Sequence, residues 1–284
     1  VVKCGQVGFS ADDKGDQAGL SRPVFMSAMF IGTRGYEQGT NRVQHARAIN
    51  VSDFFITGTG TDIGKTWVTC ALLRHWRATG RRARAFKPVL SGFDPMTAEA
   101  SDAGQLLTAM GRTLDAAALD EIAPWRFAAP LSPDMAAARE GRSIDFDALV
   151  ELTWRCRSAQ RHASTSALHP FEKCSTLIEG VGGVMVPLDA QHTVRDWIAA
   201  SGLPCILVAG SYLGSLSHTL TALEALQKVG VGVTAIVVNE SIASSVSLDE
   251  TMATLRDHVG GVALVAIARA APSSGVAALD LLLG

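Results

Sequence analysis

Residues 53–79 contain a junction that few architectures accommodate. A short apolar run, Asp53-Phe54-Phe55-Ile56-Thr57, ends in Gly58. The glycine-rich stretch Gly58-Thr59-Gly60-Thr61-Asp62-Ile63-Gly64-Lys65-Thr66 follows, and residues 64–79 then place Val68, Ala71, Leu72 and Trp76 on one helical face. A buried strand turning through glycines into a helix is the arrangement in which successive backbone amides and a helix N-terminus converge on an anion. Here Lys65 would reach the β- and γ-phosphates of a nucleotide, and the Thr66 hydroxyl would bind Mg²⁺. The usual spacing has four residues between the first and second glycines of the pattern, whereas five residues separate Gly58 from Gly64 and position 59 is Thr. A dinucleotide fingerprint fails twice: position 63 is Ile where glycine is required, and the next strand ends in Lys87-Pro88 where an acid would hold a ribose.

The same alternation continues to the C-terminus. Strands are expected at 83–89, 174–178, 204–209, 233–238 and 262–267. Helices are expected near 101–111, at 145–160 with Phe146, Leu149, Val150 and Trp154 on one face, through Leu216, Leu220, Leu223 and Leu226, and near 247–259. Continuous apolar strands separated by helices predict a doubly wound, mainly parallel α/β sheet with helices on both faces. Ligands of such sheets lie beyond the carboxyl ends of the strands, which directs attention to Lys87-Pro88-Val89-Leu90-Ser91-Gly92 and to Glu179-Gly180-Val181-Gly182-Gly183. A lysine at the first place could offset charge on a transferring phosphoryl group. A carboxylate at the second is a Mg²⁺ partner typical of nucleotide sites. Asp102, at the start of a helix, reads by itself as a cap.

Composition removes other classes. The formal charge is −2, from 25 basic and 27 acidic side chains, which gives no electrostatic case for nucleic acid or an anionic membrane surface. With 48% hydrophobic and 18% charged residues, the chain can bury a large core and is not globally disordered. No apolar run reaches the roughly 18 residues of a membrane-spanning helix. The cysteines at 4, 70, 156, 174 and 205 have no metal-ligand spacing and read as reduced thiols of a cytoplasmic protein. Residues 1–51 lack sustained periodicity and are expected to form an N-terminal extension, leaving 52–284 as one domain.

Taken in order along the chain, these segments resemble the dethiobiotin synthetases. The likeness spans about 52 to 270. It rests on the five-spaced loop with Gly64-Lys65-Thr66, on Phe86-Lys87-Pro88-Val89-Leu90-Ser91-Gly92, Ser101-Asp102-Ala103, and Phe127-Ala128-Ala129-Pro130-Leu131-Ser132-Pro133. It continues through Ile178-Glu179-Gly180-Val181-Gly182-Gly183, Leu213-Gly214-Ser215-Leu216-Ser217-His218 and Val237-Val238-Asn239. The resemblance implies a P-loop fold of nucleoside-triphosphatase type and a homodimer with active sites at the subunit interface. It also implies conversion of 7,8-diaminononanoate, CO₂ and ATP, with Mg²⁺, into dethiobiotin, ADP and phosphate, through a carbamate and its mixed anhydride with phosphate.

By the same resemblance Lys87 and Ser91 hold the carbamate, while Lys65 and Lys87 offset phosphoryl charge. Gly60, Thr61, Asp62, Ile63, Gly64, Lys65, Thr66, Glu179, Gly182 and Asn239 bind nucleotide, with Asn239 at the adenine. Thr66, Asp102 and Glu179 ligate Mg²⁺, and Leu213, Gly214 and Ser215 cradle the substrate carboxylate from the neighbouring subunit. The chain departs from the family pattern at Gly60 (commonly Asp), Asp62 (Glu), Ser217 (Asn) and Ala268 (Pro), and in a longer stretch from Arg161 to Cys174. His218 reads as a packing residue of its helix. The competing readings are a regulatory P-loop ATPase of the partitioning class, a small-molecule kinase, and an inactive homologue.

Overall fold

A computed structural model describes residues 53–163 and 174–283; side chains are described for 53–157 and 174–283. The expected extension at 1–51, Cys4, and most of the lengthened 161–174 stretch lie outside the described residues. The loop-bearing strand β1 (Asp53–Gly58) leads into α1 (Lys65–Ala78) and β2 (Arg82–Phe86). A short strand β3 (Val89–Ser91), a 3₁₀ turn (Pro95–Ala100), α2 (Asp102–Met110), α3 (Ala116–Ile122), β4 (Trp125–Phe127) and α4 (Pro133–Arg139) follow. Then come α5 (Phe146–Ala163), β5 (Cys174–Glu179), α6 (Val194–Ser201), β6 (Cys205–Gly210), α7 (Ser215–Lys228) and β7 (Val233–Asn239). The described chain ends with α8 (Leu248–His258), β8 (Ala263–Ile267) and α9 (Pro272–Leu283).

The main sheet has the order β2-β5-β1-β6-β7-β8, and every neighbouring pair is parallel. This is the doubly wound α/β fold. Helices α2 and α9 pack on α1, while α5 to α8 pack in sequence along the other layer. Strand alternation decides which side chain meets which layer. Phe55 meets the α6 tryptophan Trp197 edge-on with ring centres 4.7 Å apart. Buried Trp197 in turn donates its indole N–H to Thr153 Oγ1 of α5 at 3.0 Å, so this buried donor is satisfied. On the α1 side, Val68, Leu72 and Trp76 are buried as the helical spacing predicts, and Ala71 is partly buried.

Two expectations are corrected here. The second strand does not run from 83 to 89: Pro88 has no N–H to give a ladder, so β2 stops at Phe86 and the Lys87 amide donates to Ile122 O at 2.9 Å instead. Val89–Ser91 then pairs in parallel with β4 as a separate two-stranded sheet. On α5, Trp154 does not join the buried face; it is 47% exposed, and the inward row is Leu149, Val150, Thr153 and Cys156. The remaining difference is of omission, because α3, α4, α6, α9 and the short β3–β4 pair were not foreseen as elements.

Candidate active site

The loop after β1 closes on itself through Lys65, which is buried and donates from Nζ to Gly60 O at 2.7 Å. Gly64 takes a left-handed conformation (φ 95°), and a Cβ there would collide with the Asn239 side chain, so both dihedral and space demand glycine. Asp62 also adopts positive φ, 58°, which Asp tolerates better than most residues. Burial pushes the Lys65 ammonium down to about 8; repulsion from Lys87 adds to this, and Glu179, Asp102 and Asp62 oppose it.

Glu179, at the carboxyl end of β5 beside β1, is completely buried. Its Oε1 accepts from Thr66 Oγ1 at 2.6 Å and from Lys87 Nζ at 2.7 Å. Its Oε2 is buried and has no hydrogen-bond partner among the described residues. Lys87, 2% exposed, also donates to Gly180 O at 3.0 Å and pairs with Asp102 Oδ2 at 2.7 Å. Burial alone would push the Lys87 ammonium down, but the carboxylates of Glu179 and Asp102 together hold it above the usual lysine range. Burial would likewise raise Asp102, yet Lys87, the Thr66 hydroxyl and Lys65 keep its carboxyl below the ordinary value. Asp102 is not the helix cap expected from its position: Ser101 caps α2 by accepting from Gly104 N at 3.1 Å, which leaves the Asp102 carboxylate for Lys87.

A cleft of about 840 Å³ opens over this cluster. It brings together Thr61, Asp62, Gly64, Lys65, Thr66, Lys87, Ser91, Asp102 and Gly182, all named from the sequence. Glu179 lies buried beneath, in contact with Thr66 and Lys87. The Ser91 hydroxyl is buried without a partner on the cleft wall. A second cavity of about 400 Å³ holds Asn239, whose Nδ2 donates to Ile63 O at 3.1 Å. That bond uses one of the two N–H donors and leaves Oδ1 and the second N–H as groups Asn239 can offer a ligand.

Leu213, Gly214 and Ser215 line neither cavity. They form the N-terminal turn of α7, with Gly214 at φ 96°, Leu213 81% exposed and the buried Ser215 hydroxyl unpartnered. His218 is not a packing residue: it is exposed and shares a hydrogen bond of 2.8 Å with Tyr212 Oη. The cleft also contains Ser132 and Pro133 at the start of α4, which the sequence reading did not assign to the site. The signal was present, since Ser followed by Pro is a helix-start pattern; the Ser132 hydroxyl is buried and unpartnered.

Beside the Lys87 ammonium, the cluster gathers three oxygen-bearing side chains, those of Thr66, Asp102 and Glu179, the last with Oε2 unmatched. This set fits Mg²⁺, a hard cation that usually takes one or two carboxylates and completes its shell with phosphate and water. Among the described residues no cluster of three or more His, Cys, Asp or Glu forms a metal site without such help.

A family model described as an AAA domain matches residues 52–271. The ATP-dependent dethiobiotin synthetase BioD of Acidiphilium cryptum (strain JF-5) is 50% identical over 211 residues, covering 74% of this chain and 89% of that protein. The chain belongs to the dethiobiotin synthetase family. The family protein of Phenylobacterium zucineum (strain HLK1) is 46% identical over 229 residues, covering 80% and 92% of the two chains. That of Caulobacter vibrioides (strain NA1000 / CB15N) is 42% identical over 233 residues, covering 82% of this chain and all of that one (100%). The family assignment thus covers the cleft, Glu179 and Asn239 within a single matched stretch. No helix of the described residues is long and apolar enough to cross a membrane.

Proposed function

We propose that this chain joins CO₂ to 7,8-diaminononanoate at the expense of ATP, giving dethiobiotin, ADP and phosphate. The observation that carries the reading is the Lys87 ammonium: it is fixed between Glu179 and Asp102, beside the phosphate loop, on the wall of one cleft with the unpartnered Ser91 hydroxyl. A carbamate on the substrate amine is anionic and so is the phosphoryl group that approaches it. Two anions meet only where fixed cations and donors already wait. Ser91 donates its hydroxyl proton to a carbamate oxygen, and Lys87 holds positive charge between that oxygen and the incoming phosphorus. Lys65, released from the Gly60 carbonyl, neutralises the terminal phosphates, which the loop amides of Gly60, Thr61, Asp62, Ile63 and Gly64 also contact.

The carbamate oxygen forms its bond to the γ-phosphorus as the bond to ADP breaks. The second amine then attacks the carbonyl carbon, phosphate leaves, and the ureido ring closes. Thr66, Asp102 and Glu179 would hold Mg²⁺, which supplies charge neutralisation to the phosphate oxygens. Asn239 accepts from the adenine amino group through Oδ1. Gly182, at φ 59°, brings backbone close to the ligand.

Leu213, Gly214 and Ser215 offer the N-terminus of α7, suited to a carboxylate, and we assign them to the cleft of a second copy in a homodimer. The thiols support a cytoplasmic location. Cys70, Cys156, Cys174 and Cys205 are free, and burial pushes Cys70, Cys156 and Cys205 up to about 12, so they serve packing rather than redox chemistry.

Purified protein given ATP, Mg²⁺, bicarbonate and 7,8-diaminononanoate should form dethiobiotin by mass spectrometry, and omission of any component should abolish it. ATP turnover without diamine, or a stable phosphorylated product, would replace the reading with an ATPase or a kinase.

A further inference from the structure

The phosphate end of the site is built from the loop, Lys65 and Thr66; the opposite end is the smaller cavity. Asp62 and Gly64 line both spaces, so the second continues from the first at the loop. Trp67 forms part of its wall, one residue beyond Thr66. The inward row of α1 is Val68, Leu72 and Trp76, each buried, whereas Trp67 keeps 39% of its surface exposed. Single exposed apolar side chains are common on protein surfaces, so exposure alone assigns nothing. What distinguishes Trp67 is that its free surface borders a cavity of about 400 Å³, within the size range of small-ligand pockets of roughly 300–1,000 Å³.

The same cavity presents the Asn239 amide, fixed by its bond to Ile63 O. It also presents the small side chain of Ala268, next to buried Ile267. An aromatic face, a hydrogen-bonding amide edge and a small apolar neighbour are together what a planar heterocycle with an exocyclic amino group requires.

We propose that Trp67 is the stacking platform for the nucleotide base and the residue that makes this site bind a nucleoside triphosphate more tightly than a bare triphosphate. The inference rests on the proposed use of ATP and extends it to how the base is held. Every base has a π-face, so stacking contributes affinity with little discrimination; discrimination between bases is left to Asn239.

The test compares the full chain with Trp67→Ala and Trp67→Phe. Titration calorimetry with Mg²⁺ measures ATP and inorganic tripolyphosphate separately, and tryptophan emission is followed in parallel. Base–aromatic stacking corresponds to roughly a 5- to 150-fold change in affinity. W67A should therefore weaken ATP binding about tenfold or more, leave tripolyphosphate within about twofold, and W67F should restore most of the loss. Wild-type emission should change with ATP, not with tripolyphosphate, and that change should vanish in W67F.

Unchanged ATP affinity in W67A overturns the platform, as does an equal loss for both ligands, or a loss of self-association with ATP affinity intact. Should W67A fail to fold, the wild-type emission decides, and an identical response to both ligands overturns the proposal. A wild-type chain that binds tripolyphosphate and not ATP, or neither, instead overturns the proposed function on which it rests.

Discussion

Two adjacent parallel strands each bury a carboxylate, at opposite ends, and the structure treats them differently. Asp53 opens β1, is 1% exposed, accepts from Thr176 N at 3.1 Å and lies 3.9 Å from Arg157 Nε. Burial pushes Asp53 up to about 6, against the opposing Thr176 amide and Arg157. Glu179 closes β5, is wholly buried, and shares one oxygen between Thr66 and Lys87 while the other has no protein partner among the described residues. Asp53 belongs to an arrangement completed within the fold. Glu179 is half matched, and a buried oxygen left so is costly unless a ligand completes it. The difference teaches where to look for function: at the incomplete buried charge rather than at burial or perturbation alone.

Lys87→Ala would break the comparison at its most sensitive point. Removing a positioned charge from a transfer site costs on the order of 10²–10³ in turnover, and initial rates should show at least that loss while calorimetry finds ATP affinity within about threefold. Two carboxylates would also be left without their buried cation, so denaturant unfolding should show a stability loss of about 3–5 kcal/mol. Normal turnover would remove Lys87 from the chemistry.

Glu179→Gln sharpens the comparison with a smaller effect. The amide oxygen can still accept from Thr66 or Lys87, but a neutral group attracts a cation less. The Mg²⁺ concentration giving half-maximal turnover should therefore rise about tenfold or more, with folding largely retained; an unchanged Mg²⁺ titration would exclude Glu179 as a ligand.

Asp53→Asn should leave turnover alone and act only on stability. The Asp53 carboxyl lies at about 6 when folded against 3.8 ordinarily, so the folded state binds more protons between those values and stability falls as pH rises through them. The penalty is absent below about 4 and constant above about 6. The variant, whose amide oxygen can still accept from the Thr176 N–H, should flatten that segment of the stability–pH curve. At pH 7 it should gain up to about 3 kcal/mol by thermal or denaturant unfolding. A curve identical to wild type would refute the raised value.

Much of this is legible in the sequence. The strands β1, β6 and β7 are largely apolar runs, the pattern of a parallel sheet covered on both faces, and each is mostly buried. The loop and the strand-end residues Lys87 and Glu179 could be named because chemistry in such sheets gathers at one edge. What stayed hidden depended on contacts between distant residues. That Ser101 rather than Asp102 caps α2 is a choice between two adjacent good caps, decided by Lys87 lying 2.7 Å from Asp102. That β2 ends at Phe86 follows from Pro88, a local signal that the apolar run through Val89 obscured. Trp67 falls outside the apolar face of α1 and looks like a stray surface residue until the neighbouring cavity is seen.

The strand order has a further consequence, for synthesis on the ribosome. β5 lies between β1 and β2, yet Glu179 follows Lys87 by 92 residues and Thr66 by 113. Until β5 is made, the loop and Lys87 follow strands that are not neighbours and have nothing between them to set their spacing. Only the arrival of β5 brings the two into register and delivers Glu179 to both. Such pairing across long sequence separation is slow relative to local helix formation. Translation therefore delivers α1 to α5 before Thr66 and Lys87 acquire their shared carboxylate, and a chain interrupted before β5 carries the phosphate-loop sequence without Glu179.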